Sequence, residues 1–182
     1  LDKLLPIITP GASDTASFDN TLEFLLSTGR SLAHSLMMMI PEATGDNTEQ
    51  SEAKRDFYEY HSSLMEPWDG PALIAATDGK SIGVVLDRNG LRPCRYVVTK
   101  DGLLVMASEA GVLDIAPENI EYKDRIKPGR MFLLDTTQAR IIEDDEIKNE
   151  LATRKPYGQW LSDNRVTLDQ IPEQDTKYET SA

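Results

Sequence analysis

Cysteine is almost absent from this chain: one residue, Cys94, stands among 182. A lone thiol excludes an internal disulfide. It also excludes an iron–sulfur cluster built from these residues, since such clusters take several thiolates. Long apolar runs are missing as well, and no stretch approaches the ~20 consecutive apolar residues that a helix needs to cross a bilayer. The opening residues, 1–10, lack the basic start and small-residue cleavage site of a secretory signal. Basic residues are in deficit, 19 against 31 acidic ones, for a formal net charge of −12. A surface of that sign repels nucleic-acid phosphates and anionic lipid, so neither nucleic acid nor a membrane is an expected partner. Neither a G-x-G-x-x-G nor a P-loop occurs, so no phosphate cradle is visible. The expectation is a reducing, cytoplasmic setting.

What is present is an ordinary globular composition, 40% hydrophobic and 27% charged, in a chain long enough for one domain with a real core. The first residue is Leu1, and Leu1-Asp2-Lys3-Leu4-Leu5-Pro6 reads like the tail of an element already under way. The chain is therefore expected to be a piece of something longer.

Apolar residues Phe18, Leu22, Leu25 and Leu26 recur at helical spacing and predict a helix over 15–27, with Ser13 or Asp14 as its cap and Gly29 past its end. A second helix is predicted over 31–40, and 42–50 reads as a solvated loop. A third helix over 51–65 is expected to bury Phe57, His61, Leu64 and Tyr58. Beyond Pro67 the texture changes to short apolar runs joined by turn residues. Three hairpins are predicted: 72–77 with 82–86, 95–99 with 103–107, and 131–135 with 139–142. A polar helix over 143–154 should bury Ile147 and Leu151, and 155–182 reads as a linker with a docked aromatic or two. Helices followed by antiparallel hairpins indicate an α+β layered domain.

Two stretches carry candidate chemistry. In Gly11-Ala12-Ser13-Asp14-Thr15, Ser13 or Asp14 could simply cap the helix. Alternatively, Asp14, held at a helix start, could present its carboxylate to a cationic ligand group. In Asp87-Arg88-Asn89-Gly90-Leu91-Arg92-Pro93, Asn-Gly marks a tight turn, and Arg88 or Arg92 could tie loops together through the Asp87 carboxylate. Cys94 is expected to be a small buried apolar residue, and His34 and His61 to be structural, hydrogen-bonded histidines. Met37-Met38-Met39 reads as helix packing, and Glu143-Asp144-Asp145-Glu146 as acid favoured by a helix N-terminus. No metal site is expected.

The Asp87–Pro93 string followed by Arg95-Tyr96 resembles a signature of the glutamate synthase large subunit. So do Met65-Glu66-Pro67-Trp68-Asp69-Gly70-Pro71-Ala72, Ala107-Ser108-Glu109-Ala110-Gly111-Val112 and Lys127-Pro128-Gly129-Arg130-Met131. Ser13-Asp14-Thr15 with Phe18-Asp19-Asn20 is similar to the same family's pattern, except that the family has Ser where Thr15 stands. The resemblance implies the C-terminal part, 1–154, of a class II glutamine amidotransferase domain, with 155–182 leading to the next domain. Its fold would be part of a four-layer αββα sandwich of the N-terminal-nucleophile type.

In that family an N-terminal cysteine attacks the glutamine side-chain amide, with its own α-amine, of pKa about 8, as the base. The resemblance places that thiol and the oxyanion groups upstream, and it implies that Asp14 binds the substrate's α-amino group. FMN and an iron–sulfur centre would belong to the full-length protein and not to this segment. Glutamine as substrate and the remaining domains of the same polypeptide are the implied partners. The isolated chain is expected to be inactive and poorly soluble. Two rival readings are another class II amidotransferase, such as the one that initiates purine synthesis, and a non-catalytic interaction module on the same scaffold. Arg88 and the Trp68-Asp69-Gly70 stretch fit glutamate synthase better.

Overall fold

A computed structural model describes residues 4–42 and 50–171. Three helices come first: α1 (Asp14–Ser27), α2 (Leu32–Met39) and α3 (Glu52–Ser62). Seven strands follow: β1 (Leu73–Thr77), β2 (Ser81–Leu86), β3 (Arg95–Thr99), β4 (Leu104–Ala107), β5 (Ile120–Arg125), β6 (Met131–Asp135) and β7 (Arg140–Ile142). Helices α4 (Asp144–Thr153) and α5 (Tyr157–Asn164) close the described chain. The readings of 43–49 as loop and of 172–182 as linker lie outside the described residues.

The strands form two antiparallel sheets, ordered β1-β2-β6-β7 and β4-β3-β5. Successive residues of a strand point to opposite faces, and here that period sorts the apolar side chains into two cores. On β2, Val85 faces the helices while Val84 and Leu86 face the second sheet. On β6, Met131 and Leu133 face the helices, and Phe132 and Leu134 face the second sheet. The layers therefore run helices, four-stranded sheet, three-stranded sheet, which is an α+β arrangement with three of the four expected layers among the described residues.

Helix α2 is the centre of the helical layer. Seven of its eight residues are buried, including Met37, Met38 and Met39, as a helix covered on every side must be. It lies directly on the sheet because Gly83 has no side chain. A Cβ there would stand 2.8 Å from Leu36 Cδ1 and 3.3 Å from Leu32 Cδ2. Between the sheets, Tyr96 packs on Phe132 with ring centroids 5.0 Å apart, and Cys94 is buried beside them.

Several expectations need correction. Leu64 is 53% exposed, because α3 ends at Ser62 and the chain turns away before that residue can reach the core. Strand β5 was not anticipated. It carries mostly exposed residues and is held by its register on β3, with Val97 opposite Lys123. The segment read as linker contains α5, docked on α3 through Tyr157, which packs on Phe57 and Tyr60.

The two histidines are structural and bonded to each other. The Phe57 carbonyl can only accept, so His61 Nδ1, 2.7 Å away, carries a hydrogen. His61 Nε2 is then bare and accepts from His34 Nε2–H at 3.0 Å. Burial, with His61, Arg30 and Arg154 nearby, pulls the His34 pKa down to about 4.

Candidate functional site

The start of α1 assigns its cap. Ser13 has extended backbone and its hydroxyl accepts from the Ala16 N–H at 3.3 Å. Asp14 is the next residue, at the first helical position, so its carboxylate is not consumed by capping. Among the described residues it has no hydrogen-bond or ion-pair partner. It is exposed at the end of a cleft of about 340 Å³, enough for one amino acid. One wall is the α1 face carrying Asp14, Phe18 and Thr21, spaced at helical intervals, and the other is the segment 65–69. The positive end of the helix dipole favours an acidic side chain at this position.

The second wall is fixed by backbone. The Trp68 N–H donates to the Met39 carbonyl at 2.7 Å, and its indole Nε1–H donates to the Gly70 carbonyl at 3.1 Å. The Trp68 ring meets Phe18 of α1 edge-to-face, with centroids 5.6 Å apart and planes at 78°. Two stretches singled out in the sequence, 13–20 and 65–72, thus form one site.

The Asp87–Pro93 stretch does not line the cleft but braces its wall. Asp87 is buried, and its two carboxylate oxygens take backbone donors: Ala72 N–H at 3.1 Å on one, Asn89 N–H at 2.9 Å and Gly90 N–H at 3.3 Å on the other. Its carbonyl accepts from Gly90 and Gly129. Arg88 or Arg92 was expected to tie loops through the Asp87 carboxylate, but the partners of that carboxylate are backbone N–H groups. Arg88 reaches instead to Asp69 at 2.9 Å, on the cleft rim. Arg92 and Asn89 are exposed. Gly90 has φ +60°, and a Cβ there would come within 2.5 Å of Pro128 Cγ and 2.9 Å of Pro128 Cα, so only glycine fits against the 127–130 turn.

That turn rests on a buried cation which sequence reasoning passed over. Lys148, 1% exposed, donates to the Gly129 carbonyl at 2.6 Å and pairs with Asp144 at 2.7 Å and with Glu42. The approach of Glu42 Oε1 to the ammonium is that of an ion pair without an aligned hydrogen bond. Asp144 also accepts from Met131 N–H at 2.6 Å and from Arg130 at 2.7 Å. The acidic run that opens α4 is thus more than a dipole complement. A lysine four residues after an aspartate is too common on helices to reveal this from sequence.

Cys94, the chain's one thiol, is 3% exposed, and burial pushes its pKa up. Reactive thiols need the opposite environment. One buried thiol cannot supply the ligand set of an iron–sulfur cluster either, so the donor chemistry of these residues does not fit that group. No helix among the described residues is long and apolar enough to cross a membrane.

Comparison with known proteins gives the family. Residues 1–160 match the family model of class-II glutamine amidotransferases. The NADPH glutamate synthase large chain of Bacillus subtilis is 52% identical over 173 residues, 95% of this chain and 11% of that protein. A ferredoxin-dependent glutamate synthase of Pyropia yezoensis is 46% identical over 178 residues, 94% of this chain and 11% of that protein. An NADH glutamate synthase of Schizosaccharomyces pombe is 46% identical over 169 residues, 92% of this chain and 8% of that protein. The chain thus spans about a tenth of the length of these relatives. A family match over residues 1–160 and relatives at 46–52% identity lead to one assignment: this chain belongs to the class-II glutamine amidotransferases.

Proposed function

We propose that this chain forms the ammonium-binding side of a glutaminase site within a glutamate synthase. In this reading the α-ammonium of glutamine sits on the Asp14 carboxylate. A cysteine outside these 182 residues attacks the side-chain amide, with its own α-amine taking the proton. Ammonia leaves as the thioester forms, water hydrolyses that thioester to release glutamate, and the ammonia passes to a second site, where with a two-electron donor it converts 2-oxoglutarate into glutamate. FMN and an iron–sulfur centre would lie in that other region, and no step here runs through them. The remaining domains of the same polypeptide are the partners, and 155–182 leads toward them, with its helix α5 docked on α3. Residues 1–154 are then the C-terminal portion of the amidotransferase domain.

The observation that carries this reading is the Asp14 carboxylate, left free by Ser13 capping and opening on a cleft of about 340 Å³. Similarity to three glutamate synthases favours this family branch over the purine-type amidotransferase. The test is Asp14→Asn in the full-length polypeptide. Losing a charged acceptor for an ammonium costs about 1.5–3 kcal/mol, so kcat/KM for glutamine should fall roughly tenfold to a hundredfold. Synthesis from free ammonia should hold, because the amide-hydrolysing site is bypassed. Equal loss of both activities would mean that Asp14 only supports the fold.

A further inference from the structure

Trp68 is anchored more firmly than a cleft-wall residue needs to be. Its peptide N–H and its indole N–H are both committed to backbone carbonyls, of Met39 and Gly70. With both donors spent, the side chain has no hydrogen bond to offer a ligand, and what it presents is an apolar ring. That ring meets Phe18 edge-to-face. Phe18 is 4% exposed and lies one helical turn from Asp14 on the same face of α1. Met39 ends α2, so the contact joins α1, α2 and the 65–70 segment at one point.

We infer that Trp68 is the positioning residue of the cleft: through Phe18 it sets where α1 stands, and so where Asp14 meets the substrate ammonium. The inference rests on the proposed role of Asp14 and adds a determinant of glutamine affinity that acts without touching the reacting amide. Edge-to-face ring contacts have a defined geometry, so the spacing of the two walls is fixed before the ligand arrives. A leucine at this position would fill much of the space but would give neither the ring geometry nor the Gly70 anchor.

The experiment uses the full-length polypeptide with Trp68→Leu, Trp68→Phe and Phe18→Leu, each read as separate kcat and KM for glutamine beside ammonia-dependent synthesis. Trp68→Leu should raise the glutamine KM roughly tenfold with kcat nearly unchanged, because a displaced binding group costs affinity and the reacting groups lie elsewhere. Trp68→Phe keeps a ring and should recover most of that affinity. Phe18→Leu breaks the same contact from the helix side, so its KM effect should not add to that of Trp68→Leu. An unchanged KM in Trp68→Leu, additive effects, or equal loss of glutamine- and ammonia-dependent activity would overturn the inference. If Trp68→Leu does not accumulate, the Phe18→Leu and Trp68→Phe pair decides alone: a raised KM in Phe18→Leu with a nearly unaltered KM in Trp68→Phe supports the inference, and any other pattern overturns it. Asp14→Asn run in parallel separates the two levels. If it leaves glutamine use intact, the ammonium assignment fails. If it impairs glutamine use while Trp68→Leu does not, only the role of Trp68 fails.

Discussion

Replacing Lys148 by methionine tests the buried charge cluster directly. The ammonium is 1% exposed and touches the Gly129 carbonyl, Asp144 and Glu42. Methionine fills the same stem volume, so packing changes little and the loss is electrostatic. Removing one partner from a buried ion pair costs about 3–5 kcal/mol, because the other charge is left without compensation. Here the residual charges are partly cared for. Asp144 keeps Arg130 and the Met131 N–H, and Glu42 keeps Gln50 at 3.0 Å. The expected loss is therefore at the lower end, about 3 kcal/mol, or roughly 6–12 °C in Tm for a chain of this length. Urea unfolding followed by fluorescence and circular dichroism measures it, with an unchanged m value showing that the denatured state is the same. Adding Glu42→Gln to Lys148→Met removes one stranded charge and should return at least about 1 kcal/mol. A loss below about 1 kcal/mol for Lys148→Met would refute the picture of a desolvated ammonium holding three segments together.

Gly90→Ala should destabilise by more than about 2 kcal/mol in the same assay, since a left-handed backbone and a clash with the Pro128 backbone act together. A shift within about 0.5 kcal/mol would show that the 127–130 turn is free to move away. The His34–His61 pair gives a pH dependence whose sign is fixed. Burial holds His34 at about 4, below its ordinary value of 6.5, so the unfolded chain binds the extra proton first. The pair's contribution to stability is complete above pH 6.5 and is lost as pH falls toward 4. Unfolding midpoints of His34→Gln and the unaltered protein should converge over that window, and parallel curves would contradict the assignment.

Much of the fold was legible because the local signals were strong. The Ser13 or Asp14 cap and the periodic apolar residues placed α1, and the helices read over 31–40 and 51–65 begin within a residue of α2 and α3. Asp78-Gly79 and Asp101-Gly102 located two hairpins. The partnering of hairpins was not legible. The strand pairs 73–86 and 95–107 are adjacent in sequence yet belong to different sheets, because β2 pairs with β6. Alternation tells which face of a strand is buried but not which strand lies beside it. Strand β5, with the sequence Ile120-Glu121-Tyr122-Lys123-Asp124-Arg125, alternates only over its first four residues and offers just two apolar side chains, since it lies at a sheet edge with little to bury. Helix α5 has a polar composition and is held by Tyr157 alone among its buried residues. At the proposed site, Asp14 stood out through its motif. Trp68 stood in a recognised stretch with no contact assigned to it, because the carbonyls that anchor it and the ring it meets are visible only in three dimensions.

The pairing of β2 with β6 joins residues about fifty positions apart, with the whole second sheet emerging between them. During synthesis β1 and β2 can close as a hairpin at once, but the other edge of β2, with Val84 and Val85 beside it, must wait for β6 to leave the ribosome. An apolar strand edge held open for that interval invites pairing with a neighbouring nascent chain. The order of strands thus makes the middle of biosynthesis the hazardous stage for this domain, the stage at which a chaperone that shields strand edges has most to protect.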